Sequence, residues 1–106
     1  MSFATLLEIQ YVEDHVVIER ISDELKNILA EDGIHFDVLE NLRTAFEGTE
    51  TMINVSASYL AYLVERIASL QPTVSFHARG HGEELRDVWV REFQSGEAVF
   101  SVGSFL

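Results

Sequence analysis

Four histidines and three adjacent carboxylate pairs are the residues of this chain whose types could do chemistry. His77 and His81 stand either side of Gly80, and Glu83 and Glu84 follow Gly82. These four side chains are metal-ligand types, but a metal needs three or four of them at fixed geometry. The two glycines leave their directions open, so a surface loop is the favoured reading. There is no HExxH pair and no GxxxxGK[ST] phosphate loop. Gly80-x-Gly82 lacks the further downstream glycine of a dinucleotide fingerprint. The pairs Glu13-Asp14, Glu31-Asp32 and Glu83-Glu84 would serve acid–base catalysis only if burial raised one pKa. Their loop or glycine-bearing settings favour solvation. No GxSxG elbow is present, and Ser56 and Ser58 read better as helix caps. The absence of cysteine excludes disulfides, thiolate chemistry and cysteine-ligated zinc. The residues therefore point to no catalytic site, no metal and no cofactor. The alternative kept open is a small metal- or ligand-binding enzyme with a pocket of His77, His81 and Glu83.

Charge and aromatic residues point to contact rather than turnover. The net charge of the 106 residues is -11. Residues 1–50 carry twelve Asp/Glu against three Lys/Arg, a balance of -9, while residues 51–106 carry six against four, a balance of -2. Such a surface repels phosphate backbones and anionic lipid, so neither nucleic acid nor membrane is an expected partner. A cationic protein would be steered toward it. Tyr59 and Tyr62 lie at the flank and the back of an apolar helical stripe, and rigid aromatics of this kind anchor interfaces. Trp89 is assigned to the core by preference. Arg86 and Arg91 are expected to pair with carboxylates on the sheet. The partner-binding residues expected on these grounds are Glu47, Glu50, Tyr59, Tyr62, Glu83, Glu84 and Asp87. No run reaches the ~18 apolar residues of a membrane span. Residues 1–12 contain Glu8 and no Lys or Arg, unlike a signal peptide, so a cytoplasmic location is expected.

These side chains need a frame, and the pattern gives one of α+β class in a single domain. Residues 3–12 are apolar enough for a strand, with a short helix competing. Over 14–31, Val17, Ile21, Leu25, Ile28 and Leu29 recur at helical spacing. The β-branched Val16-Val17-Ile18 cluster allows a shorter helix from 23 to 31, capped by Ser22 and ending at Gly33. A second helix is expected over Val38–Phe46 with Asp37 as cap, then a β-prone link, Thr51–Val55. A third follows Ser56 or Ser58 and carries Leu60, Leu63, Val64, Ile67 and Leu70, until Pro72 ends it. Three strands, Thr73–Ala78, Leu85–Phe93 and Ala98–Val102, are expected to form an antiparallel meander. Gly80 and Gly82 make its first turn and Ser95-Gly96 its second. Helices should pack on one sheet face. The opposite face, expected to hold Trp89 and Phe93, would need a cover, and a homo-oligomer or adaptor using that face is a further alternative.

The run F-x-A-R-G-x-G-E-E-x-x-D-x-W-x-R-x-F-x-x-G, from Phe76 to Gly96, resembles a recurring segment of small bacterial immunity proteins. These accompany polymorphic toxins, including those of contact-dependent growth inhibition. The resemblance covers about a fifth of the chain and does not extend to Met1–Ser56. It implies a cytoplasmic protein that binds a cognate toxin domain, often a cationic nuclease, and blocks it without turnover. Because contact residues differ between members of that family, it assigns no individual role here.

Overall fold

Alternation in the first ten residues produces a strand and not a helix. In β1 (Thr5–Tyr11), Thr5, Leu7 and Ile9 are buried, and Leu6, Glu8 and Gln10 face the other way. The computed structural model describes residues 4–11, 14–83 and 87–103. The helices α1 (Ser22–Glu31), α2 (Asp37–Phe46) and α3 (Ala57–Leu70) are joined by the short strand β2 (Thr51–Ile53) between the last two. The strands β3 (Phe76–His81), β4 (Val88–Gln94) and β5 (Glu97–Val102) follow as a meander. The five strands form one antiparallel sheet in the order β2-β1-β3-β4-β5. The α+β class with helices on one sheet face is as expected.

The helices divide the covering of that face. α2 packs on β1 and β2, α3 packs on β3, β4 and β5, and α1 lies against α2. Leu7, Leu25, Leu42, Phe46, Leu60, Leu63, Ile67 and Phe76 are fully or almost fully buried in the layer between. Each such side chain contributes about 1.5–3 kcal/mol by leaving water, so this layer dominates stability.

Several local expectations change. The β-branched run Val16–Ile18 does not enter the helix: a 3-10 turn, Ile18–Ile21, precedes α1. Side chains branched at Cβ crowd the preceding helical turn, and here Val16 and Ile18 are buried while Val17 points aside. The Gln71 side chain holds this segment, accepting from Val17 N–H (3.2 Å) and donating to Val17 C=O (2.7 Å). Ser22 donates back to the Glu19 carbonyl instead of capping α1. Asp37 begins α2 rather than capping it, with its N–H donating to His35 Nδ1 at 3.2 Å. Ser56, not Ser58, caps α3 by accepting from Tyr59 N–H at 3.3 Å.

The largest correction concerns the meander. Gly80 is not a turn residue but lies inside β3, paired with Trp89. A Cβ there would stand 2.3 Å from the indole ring, so only glycine lets Trp89 lie across the strand. The strand expected to stop at Ala78 therefore runs on to His81. Trp89 and Phe93 sit on the helix-covered face, 0% and 3% exposed, and not on the face needing a cover. The core reading of Trp89 holds, and its indole N–H donates to Ala57 C=O at 2.9 Å. An adaptor interface built around Trp89 is thereby excluded. Ser95 (φ 54°) and Gly96 (φ 83°) both have left-handed backbones, the geometry of a two-residue hairpin turn. Leu85, the expected start of the middle strand, lies outside the described residues.

Candidate interaction surface

The pleat that buries Trp89, Arg91 and Phe93 turns their neighbours outward, and no element covers them among the described residues. Register then fixes three rows across the open sheet face. Leu6, His81 and Val88 form one, and Glu8, Arg79, Val90 and Val102 the second. Gln10, His77, Glu92 and Phe100 form the third. Arg79 is ion-paired with Glu8, and His77 Nε2 lies 3.9 Å from Glu92 Oε1. The edge strand β5 leaves Val99, Phe100 and Val102 between 47% and 60% exposed. A register shift at Glu92/Phe93 pairs Glu92 with Phe100 and Phe93 with Ala98, so Val99 is bulged.

Beside that bulge is a hollow of about 360 Å³, bordered by Asp14, Ser75, His77, Glu92, Phe93 and Val99. A Cβ on Gly96 would stand 2.9 Å from Pro72 Cβ, so the β4–β5 turn is seated directly on the exit from α3. Sequence reading missed this site because its walls are contributed by segments up to 85 residues apart, such as Asp14 and Val99.

The expected pocket of His77, His81 and Glu83 does not form. His77 and His81 stand four residues apart on the open face of β3, and of the three only His77 borders the hollow. Glu83 accepts from Ala4 N–H at 3.1 Å. Among the described residues no three His, Asp or Glu side chains converge to hold a metal ion.

The expected contact residues fall into separate places. Glu47 and Glu50 are exposed in the link from α2 to β2. Glu47 follows Phe46, whose carbonyl accepts from the Tyr11 O–H at 2.6 Å. That is the end of β1 away from Ala4 and Glu83. Tyr59 is half-buried and donates its O–H to Asp32 Oδ2 at 2.7 Å. Burial first, and then the Asp32 carboxylate, push the Tyr59 phenol well above its ordinary range. Tyr62 is 41% exposed, its ring centroid 5.7 Å from that of Tyr59. The Asp87 backbone carbonyl closes the β3–β4 connection by accepting from Gly82 N–H at 2.9 Å, and this connection abuts Ala57 at the start of α3. Asp87 and the tyrosine-bearing turn of α3 are therefore close in the fold, while Glu47 lies apart from them. Glu84 and Arg86 lie outside the described residues.

Two charge findings were not legible beforehand. Arg91 is buried on the covered face, not displayed on the sheet. Its Nη1 donates to the Val90 and Val102 carbonyls at 3.0 Å, and its Nε stands 3.7 Å from Glu65 of α3. It pins the last strand and pairs with a helix, where a sheet carboxylate was expected. Meanwhile, in the acidic half, Arg43 is committed to Glu19 and Glu40. Asp23, Glu24, Glu31, Glu47 and Glu50 are exposed, with no Lys or Arg in ion-pair range among the described residues. No helix of the described residues is long and apolar enough to cross a membrane. No family model, curated protein or solved structure matches this chain.

Proposed function

We propose that the chain is an immunity protein: it binds a cognate bacterial toxin domain, of cationic and nuclease type, in the cytoplasm and silences it by occupancy. The observation that carries this reading is the set of exposed carboxylates on the helical half, Asp23, Glu24, Glu31, Glu47 and Glu50, with no Lys or Arg in ion-pair range among the described residues. A surface of this kind offers a nuclease the charge pattern of the phosphates it normally grips. Long-range attraction of opposite charge raises the association rate and rejects wrong partners more than it adds affinity. Exposed aromatic area near Asp32 at the end of α1, Tyr62 above all, would slow dissociation. The resemblance of Phe76–Gly96 to immunity proteins supports the same reading, since that segment spans β3, β4 and the turn into β5 as one unit.

The experiment is co-purification with the protein encoded immediately upstream of this chain's gene. A one-to-one complex that weakens as salt rises is the expected outcome, because exposed charge pairs are screened beyond about 8–10 Å at physiological salt. No complex at low salt with that protein or with any toxin domain would overturn the proposal.

A further inference from the structure

The hollow beside the Val99 bulge has the chemistry of a binding site for an organic cation. Two carboxylates, Asp14 and Glu92, border it together with Ser75 and His77, and among the described residues no Lys or Arg does. At about 360 Å³ it is roughly ten times the share of one liquid water and falls within the ~300–1,000 Å³ of small-ligand clefts. An inner-sphere metal ion does not suit it, because no three ligand-type side chains converge among the described residues. What suits it is a larger cation whose charge is spread over several N–H donors, able to reach separate acceptors at once. A planar guanidinium has this form, with five donors in a fork that matches carboxylate geometry. Val99, 60% exposed, supplies apolar surface at the border, against which an alkyl stem would lie. The bulge is a built feature of the lip: it leaves Val99 without a partner on β4 and opens the sheet end at Glu92.

We infer that this hollow binds a guanidinium group on an alkyl stem, either a free small molecule or an arginine side chain. The site stands independently of whether the chain neutralises a toxin.

The test is a backbone-amide NMR titration of the full chain at neutral pH and constant ionic strength. Three probes are used: agmatine, the capped peptide acetyl-Gly-Arg-Gly-amide, and the same peptide with neutral citrulline in place of arginine. Saturable shifts confined to Ser75, His77, Glu92 and Val99 are expected, with a Kd on the order of 1 mM. The citrulline peptide should bind about tenfold more weakly. Glu92→Gln should weaken the arginine peptide about fivefold, while Asp37→Asn, at the start of α2, leaves it unchanged. Preserved dispersion of the Glu92→Gln spectrum separates this loss from unfolding, and Asp14→Asn provides a second variant. Agmatine binding as well as the peptide supports a site for either source; peptide binding alone assigns it to a protein-borne arginine, and agmatine alone to a free small-molecule guanidine. Non-saturating shifts spread over the acidic helices, equal binding of the citrulline peptide, or an unchanged Kd in both variants would overturn the inference.

Discussion

On β4, Trp89, Arg91 and Phe93 are buried under α3, while Val88, Val90 and Glu92, one residue away from each, stay partly in water. The same strand thus serves two faces under opposite constraints. On the covered face, contacts are so close that a single Cβ at Gly80 would overlap the indole ring. On the open face, Arg79 pairs with Glu8 and His77 lies near Glu92, contacts between part-exposed side chains that are expected to add little to stability. The comparison teaches that the helix-covered side holds the domain together. The open side and the acidic helices are the surfaces left for contact.

This contrast can be broken first at its strongest point. Trp89→Ala removes the largest buried side chain and its hydrogen bond to the Ala57 carbonyl, and should cost about 3–5 kcal/mol in urea unfolding. Gly80→Ala, a change of one methyl, should cost about 1–3 kcal/mol by forcing the indole aside. A loss below ~0.5 kcal/mol for both would mean the covered face is not close-packed as described.

A smaller effect is expected at the margin between the faces, where Tyr11 reaches from β1 to the Phe46 carbonyl. Burial pushes its phenol from an ordinary value near 10 up to about 12, and a backbone contact at Val16 lowers it in part. The folded state therefore favours the neutral phenol. Its contribution is fully present below pH 10, where both folded and unfolded chains keep the proton, and is lost as pH rises from about 10 to 12. Thermal unfolding should show a stability decline in that window that is shallower in Tyr11→Phe. An identical decline in the variant would remove Tyr11 as a cause. Because Tyr59 is raised as well, the decline should not vanish.

The smallest effect should come from the open face. Arg79→Ala breaks an ion pair between half-exposed side chains and should change stability by less than ~1 kcal/mol. A larger loss, measured by the same unfolding, would show that the open face is structural after all.

Much of the frame was legible because its signals are local. Leu60, Leu63, Val64 and Ile67 announce α3 by spacing, and Ser95-Gly96 announces a hairpin by turn chemistry. Gly80 misled for the same reason: glycine is a local turn signal, and its role as a seat for Trp89 exists only once β3 and β4 are in register. The alternation Phe76, Ala78, Gly80 did carry that hint, since it continues the inward face. The placement of β1 between β2 and β3 was not legible, because Leu6 meets His81 across seventy-five residues through assembly alone. The hollow shared that fate, as Asp14, Ser75 and Glu92 become neighbours only in the folded chain. Of the expected contact residues, exposure of Glu47, Glu50 and Tyr62 followed from the pattern. Their distribution over separate places did not.

The binding reading is tested most directly by titrating the chain into the proposed cognate toxin domain, sought in the gene immediately upstream, and reading residual toxin activity. Activity should fall linearly to zero at about one equivalent, as for a tight stoichiometric inhibitor. A variant with Asp23, Glu24, Glu31, Glu47 and Glu50 all changed to amides should associate about tenfold more slowly at low salt. Full toxin activity at about tenfold excess of the chain, or inhibition by the amide variant as fast as by the parent, would contradict the account.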